Sequence, residues 1–213
     1  MLEIGRPAQY TRHLRRTNVA NSAAGAAVCA AAAGAVFVVP GALRWVMLGL
    51  SLFAGFSCRD SWIKVRKNQA GIAAEDLAAK HLRRSGVHAV AFGAVLSHGD
   101  CDAIAVGPQL VVVEVKHGHG RVRLENGTLR DDRRALRKDP LAQATGQAAA
   151  LRKLSGVRVD AVVCVTGMTN PPFQAKNTTV CSAKDLPAVV KALPVRLSPE
   201  QAAQVVQKLS QAS

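Results

Sequence analysis

The pattern of hydrophobic positions separates an apolar N-terminal quarter from a mixed remainder. Residues 19–39 carry no charge and are rich in alanine, and Pro40-Gly41 interrupts the run before a second apolar stretch at residues 42–58. A bilayer span takes about 20 apolar residues, which the first run reaches and the second approaches. The pattern therefore predicts two transmembrane helices, at about 19–39 and 42–58.

Charged residues predict how this hairpin is oriented in the membrane, and small residues predict how its helices pack. A basic tail at residues 1–18 and a basic linker at residues 59–70 flank it, so the positive-inside rule places both ends in the cytoplasm. A cleaved signal peptide and a buried hairpin of a soluble protein remain alternatives. Within the first run, small residues recur every four positions, a spacing that allows close helix contact in lipid: Ser22, Ala26, Ala30 and Gly34.

After the linker, the periodicity alternates between helical and strand-like segments. Two apolar, β-branched runs joined by Gly107-Pro108-Gln109 predict a β-hairpin, and Asn126-Gly127 predicts the turn of a second one. Asp139-Pro140 is typical of a helix start. We therefore expect an α/β domain at residues 71–213 with a mixed sheet flanked by helices. The other predicted elements are strands at 87–96, 159–165 and 178–181 and helices at 72–84, 185–193 and 199–209.

The first predicted hairpin carries charge at one end of otherwise apolar strands. Asp102 opens the first strand, and Glu114 and Lys116, two residues apart in the second, point to the same face. Residues 110–113 are all apolar, which is typical of a strand buried on both faces, and charges at its end need a partner. Two such carboxylates can bind a hard cation such as Mg²⁺. The alternative is that Glu114 and Lys116 form an ordinary ion pair on an exposed strand, as an isolated Glu-x-Lys would. Asp100 is an alternative ligand, although its position is more typical of a turn.

Composition narrows the class of partner. The net charge of +14 favours nucleic acid or anionic lipid, and an aromatic content of 4% argues against base stacking as a large part of binding. No Cys or His set has zinc spacing. We interpret His98, His117 and His119 as loop residues beside Gly118 and Gly120, with contact to a phosphate or a water as the alternative. Arginines in and after the second hairpin predict a phosphate-binding surface next to the carboxylates: Arg121, Arg123, Arg133 and Arg134.

Four motifs follow one another along the chain: Gly71-x-x-x-Glu75, Gly99-Asp-x-Asp102, Glu114-x-Lys116 and Asp139-Pro-Leu-x-Gln143. In this order they resemble the nuclease-related domain family of the restriction-endonuclease-like PD-(D/E)xK superfamily. The resemblance covers roughly residues 71–209 and implies a Mg²⁺- or Mn²⁺-dependent nuclease acting on nucleic acid, in the first instance DNA. It implies that Asp102 and Glu114 bind the metal, that Lys116 places or polarises the water, and that Glu75 and Gln143 support the site.

Two positions depart from the pattern. Ala103 stands where the family often has His, and Gln147 stands where related nucleases often have Tyr. Our principal prediction is a nuclease anchored in the cytoplasmic membrane with both termini and the catalytic domain inside. The rival is a non-catalytic module that binds nucleic acid or a protein partner at the membrane. A third interpretation is a soluble nuclease whose N-terminus has been misread as an anchor.

Overall fold

The chain divides into two compact units. The computed structural model describes residues 1–97 and 99–212. One unit, Tyr10–Ala70, is helical. The other joins Met1–Gln9 to the chain from Gly71 onward and contains the main sheet. Along the sequence, the helical unit therefore interrupts the α/β unit.

Two long helices account for the helical unit. Helix α1 is Gln9–Val38, and α2 starts at Leu43 and continues to Leu82. The Ser22 hydroxyl donates to the carbonyl of Cys58 at 3.5 Å, and the Cys58 thiol donates to the carbonyl of Ser22 at 3.4 Å. Cys29 and Ser51 make the same reciprocal pair at 3.3 Å. The two helices therefore run antiparallel along a seam of small side chains.

The seam on α1 is not the predicted stripe. It follows Ser22, Gly25 and Cys29, and a Cβ atom at Gly25 would lie 3.5 Å from the backbone oxygen of Ala54. Steps of three and four track the helical repeat of 3.6, whereas a constant step of four drifts off the contact line. The other three members of the predicted stripe are exposed: Ala26, Ala30 and Gly34.

Only part of the predicted pair of membrane spans is found. Among the described residues, α1 is the one helix with the length and apolar composition to cross a membrane, a test that signal sequences and buried core helices also pass. Most of α1 is exposed, unlike a core helix. The predicted second span at 42–58 falls almost entirely in the first part of α2, and its apolar run is short because Arg44 and Arg59 flank it.

Helix α2 has no break at the predicted linker. It continues through residues 59–70 and through Gly71, so the helix predicted at 72–84 is its last part. A glycine inside a helix costs about 1 kcal/mol relative to alanine, which good helix formers on either side can offset. Gly71 therefore does not end the helix, although it resembles a boundary in the sequence.

The α/β unit is built on a mixed, seven-stranded sheet in the order β1-β2-β3-β4-β7-β9-β8. The pairs β2–β3, β3–β4 and β8–β9 are antiparallel, and the others are parallel. A separate antiparallel hairpin, β5–β6, follows β4. The strands are β1 Leu2–Ile4, β2 Ala89–Leu96, β3 Gly99–Val106, β4 Leu110–Lys116, β5 Arg123–Glu125, β6 Thr128–Arg130, β7 Asp160–Val165, β8 Phe173–Ala175 and β9 Thr178–Cys181.

Helices cover both faces of this sheet, which confirms the predicted α/β class. Helices α3 (Pro140–Ser155) and α5 (Pro199–Ala212) cover one face, and α4 (Leu186–Ala192) and the last part of α2 cover the other. Strand β4 is central: Val112 packs into the first layer and Val113 into the second. The sheet thus presents the ends of β3 and β4 to helix α3.

The first strand, β1, was not predicted. It pairs in parallel with β2 through three residue pairs, and Arg83 forms two hydrogen bonds with the Glu3 carboxylate at 2.6 and 3.0 Å. The predicted basic tail at residues 1–18 is therefore divided between this strand and the start of α1. Strand β8 was also missed, since three-residue edge strands leave too short a pattern to recognise.

Candidate active site

Asp102 lies where the pairing between β3 and β4 ends. The ladder closes at the pair Ala103–Val113, and beyond it the Asp102 carboxylate accepts a hydrogen bond of 2.7 Å from the backbone N–H of Val115. The side chain of one strand therefore replaces a backbone acceptor for the next. This bond holds the Asp102 carboxylate between Glu114 and Lys116 along β4.

Glu114 is the most deeply buried charged residue of the site. It is 2% exposed, and each of its carboxylate oxygens has its own donor. The ammonium of Lys116 contacts Oε1, and Nε2 of Gln147 donates to Oε2 at 3.0 Å. Lys116 retains 20% of its side-chain exposure, so its charge also faces solvent at the strand end. The structure thus brings the predicted Glu114 and Lys116 together on one face.

A third carboxylate, Glu75, acts on Asp102 from the last part of α2. Burial raises the pKa of Asp102 well above its ordinary value, and the charges of Glu114 and Glu75 raise it further. The Val115 N–H and the Lys116 charge oppose this shift without overcoming it. Three carboxylates therefore share one region, and the charges of Glu114 and Glu75 both repel that of Asp102.

The donor set fits a hard divalent cation. Repulsion among buried carboxylates is relieved when a cation binds between them, and carboxylate and amide oxygens are the ligands that Mg²⁺ prefers. Gln143 and Gln147, one helical turn apart on α3, each have a buried side-chain oxygen without a hydrogen-bond partner. Asp102 and Glu114 are therefore the candidate ligands of a cation, with Glu75 as the third carboxylate of the region. Gln143 lies one turn before Gln147 on α3.

The surroundings favour Asp102 over Asp100 as the candidate ligand of a cation. The Asp100 side chain is exposed, and only its backbone oxygen enters the site, where it accepts from Gln147. Among the residues that the structure describes, no group of three or more His, Cys, Asp or Glu side chains has the arrangement of a metal site. The candidate centre is therefore a pair of carboxylates supplemented by weaker neighbours.

A turn tied to the chain after β4 presents the predicted basic surface. Asp131 is 6% exposed and accepts from the backbone N–H groups of Arg133, Arg134 and His119 at 2.9, 2.8 and 3.2 Å. Burial alone would raise the pKa of Asp131, but these three N–H donors outweigh it, and the pKa lies below its ordinary value. The turn therefore lies against the segment that leaves Lys116.

The four predicted arginines are not equivalent. Arg123 is paired with Glu125 at 3.1 Å and lies 3.9 Å from Asp132, which offsets its charge. Arg133 and Arg134 are exposed. Within residues 1–97 and 99–212, no ion pair joins Arg121, Arg133 or Arg134 to a carboxylate. These three are the arginines with charge available for a phosphate.

The histidines beside the hairpin take no part in this arrangement of carboxylates. His117 and His119 are exposed, and their rings meet edge to face with centroids 4.5 Å apart. His98 lies outside the described residues.

Gln147 was not included among the predicted site residues. The sequence marked it only as a departure from the tyrosine of related nucleases. Its position one turn after Gln143 on α3 is the signal that places it on the same face as a predicted site residue. Full burial against the Glu114 carboxylate and the Asp100 backbone oxygen, which the sequence does not reveal, is what makes it part of the site.

Comparison with known proteins supports the family suggested by these residues. The profile of the nuclease-related domain (NERD) family matches residues 70–166. The match extends from the last part of α2 through β7 and contains Glu75, Asp102, Glu114 and Lys116. No curated protein and no solved structure matches the chain. The chain therefore carries a nuclease-related domain, at residues 70–166.

Proposed function

We propose that this protein is a membrane-anchored nuclease that depends on Mg²⁺ or Mn²⁺ and hydrolyses phosphodiester bonds of DNA. The observation that carries the proposal is the meeting of Asp102, Glu114 and Lys116 at the ends of β3 and β4. Carboxylates crowded into a partly buried site beside an ammonium group are costly for stability alone. They are the groups that hydrolysis of a charged phosphate requires.

Each residue of the site has a distinct role in this proposal. Asp102 and Glu114 hold the cation, which when bound supplies charge neutralisation and an acidified water. Lys116, partly exposed beside Glu114, orients the attacking water and stabilises negative charge that develops on the phosphate. Glu75 adds negative charge near Asp102. Gln143, one turn before Gln147 on α3, supports the metal site or contacts the phosphate backbone.

In this proposal the basic turn binds the nucleic acid, and the N-terminal helices attach the protein to the membrane. Arg121, Arg133 and Arg134 contact the nucleic-acid backbone, since among the described residues no ion pair joins their side chains to a carboxylate. The hairpin formed by α1 and the apolar first part of α2 anchors the protein in the cytoplasmic membrane. Because the chain crosses and returns, the flanking basic residues keep both termini and the catalytic domain in the cytoplasm.

A cleavage assay with a charge-neutral variant tests the proposal. Full-length protein is required, because a fragment starting near residue 68 would lack strand β1. Plasmid and single-stranded DNA are incubated with Mg²⁺, Mn²⁺ or EDTA, using the parent, Lys116→Met and the control Lys153→Met. Lys153 is an exposed lysine of α3. We expect cation-dependent cleavage that Lys116→Met abolishes and Lys153→Met retains. Equal cleavage by parent and Lys116→Met would refute the assigned mechanism.

One observation favours the rival function, a non-catalytic module that binds nucleic acid or a protein partner. Both oxygens of Glu114 already have protein donors, so this buried carboxylate is satisfied without a cation. A module of this kind would bind DNA in a salt-dependent way without cleaving it, and Mg²⁺ or Mn²⁺ would leave its melting temperature unchanged. Cation-induced thermal stabilisation therefore separates the two functions before any substrate is found.

A further inference from the structure

We propose that Gln147 is a positioning residue that fixes the orientation of the Glu114 carboxylate for cation binding. The inference rests on the proposed function, because this orientation matters only if Glu114 binds a cation. Gln147 would act through Glu114 and would not itself contact the reacting atoms.

Both N–H groups of the Gln147 side-chain amide have hydrogen-bond acceptors. Its NH₂ group donates to Oε2 of Glu114 at 3.0 Å and to the backbone oxygen of Asp100 at 2.7 Å. A backbone oxygen can only accept, so the reversed amide would place Oε1 against two acceptors. The orientation of the side chain is therefore fixed by its partners, and at 1% exposure no solvent competes for them.

These two bonds join three elements at the site. Gln147 stands on α3, Glu114 on β4 and Asp100 on β3. Because the Asp100 bond is to the backbone, Gln147 fixes the start of β3 and the Glu114 side chain with one group. Lys116 holds the other oxygen of Glu114 but is partly exposed and has a flexible stem. Gln147 is thus the rigid half of the clamp on Glu114.

Packing alone does not explain a glutamine at this position. Its Oε1 atom is buried without a hydrogen-bond partner, which is unfavourable. An apolar side chain of similar size would fill the same space without an unpaired oxygen. The donors of Gln147, directed at Glu114 and Asp100, are what an apolar residue could not provide.

The experiment measures cation affinity directly, without requiring turnover. Free Mn²⁺ is followed by electron paramagnetic resonance during titration of full-length protein in detergent. The variants are Gln147→Met, which keeps the volume and removes the donors, and Gln147→Asn, which is too short to reach both acceptors. The matched control is Gln207→Met, at an exposed glutamine of α5. Circular dichroism verifies the fold, and DNA binding is measured in EDTA.

We expect both Gln147 variants to bind Mn²⁺ about 10–100-fold more weakly than the parent, as for other residues that orient a metal ligand. The Gln207→Met control should match the parent, and DNA affinity in EDTA should be the same in all variants. If Gln147→Met does not fold, Gln147→Asn decides. A folded variant that binds Mn²⁺ as tightly as the parent overturns the inference and leaves the proposed function standing. A parent that binds no Mn²⁺ overturns both.

Discussion

The Asp102 carboxylate accepts a hydrogen bond of 2.7 Å from the backbone N–H of Val115 and so continues the pairing of β3 with β4 by a side chain. The same carboxylate is the one whose pKa is raised by burial and by its acidic neighbours. Asp102 therefore has a structural role and a chemical role, and substitution can separate them.

Asp102→Asn should abolish cleavage while preserving the fold. Asparagine keeps an oxygen for the Val115 N–H and removes the repulsion with Glu114 and Glu75, so stability without cations should equal or exceed that of the parent. Asp102→Ala leaves this N–H unpaired and should lose about 1–3 kcal/mol. Urea unfolding and plasmid nicking measure the two properties. A fully active Asp102→Asn would remove Asp102 from the mechanism.

Divalent cations should stabilise the parent against heat. At a concentration about 100 times the dissociation constant, a bound cation adds about 2.7 kcal/mol to the free energy of unfolding. Glu114→Gln should eliminate this increment, because it removes one of the two charges that hold the cation. The measurement is the melting temperature with Mn²⁺ minus that with EDTA, compared within each variant. An undiminished increment in Glu114→Gln would locate the cation elsewhere.

The arginines of the basic turn should differ in their effect on DNA binding. Replacing Arg133 and Arg134 by alanine should weaken binding in EDTA and lower the salt dependence by about 0.9 for each duplex phosphate that is no longer neutralised. Arg123→Ala is the matched comparison and should have a smaller effect, because Glu125 and Asp132 already offset its charge. Fluorescence anisotropy at several salt concentrations measures both. A larger effect of Arg123→Ala would reverse our ranking of the arginines.

Asp131 should make stability depend on pH in the acidic range. Because its pKa is lowered in the folded protein, its stabilising contribution is present above the ordinary pKa and is lost as the pH falls through the folded-state value. Asp131→Ala should cost about 2 kcal/mol at pH 7, and the difference from the parent should shrink below about pH 4. Asp100→Ala, at an exposed aspartate, controls for the removal of a negative charge. A difference constant with pH would contradict this assignment.

Removal of strand β1 should destabilise the α/β unit. Deleting residues 1–5 removes the pairing with β2 and the ion pair between Glu3 and Arg83, and it leaves the edge of β2 open to association. We expect a lower melting temperature and increased light scattering. Glu3→Gln, which keeps the strand and loses only an exposed ion pair, should change the free energy of unfolding by less than about 1 kcal/mol. Equal behaviour of deletion and parent would show that β1 is dispensable.

The sequence predicted the centre of the fold better than its periphery. The hairpin of β3 and β4, the β5–β6 hairpin and the start of α3 carry strong local signals, and all three are confirmed. Strand β1 escaped prediction because its partner, β2, is distant in the sequence and no local pattern records such pairing. The unbroken course of α2 was missed because Gly71 resembles a boundary.

At the site, the sequence indicated the charged residues but not their support. The spacing of Glu114 and Lys116 on a strand fixes a common face, so their contact followed from local geometry. The clamp by Gln147 depends on how α3 packs across the sheet, and the shift of the Asp102 pKa depends on burial. Neither tertiary property can be derived from spacing along the chain.

The interruption of the α/β unit by the helical unit has a consequence for synthesis. Leu2 pairs with Ala89, which is 89 − 2 = 87 residues later. A ribosome adding about 5–20 residues per second needs on the order of 4–17 s to make that interval. The helices of the interruption can form from local contacts as they emerge, whereas β1 must remain unpaired until β2 has left the exit tunnel. Strand β1 therefore waits for its partner, and a chaperone or a crowded membrane surface has several seconds in which to reach this unpaired strand.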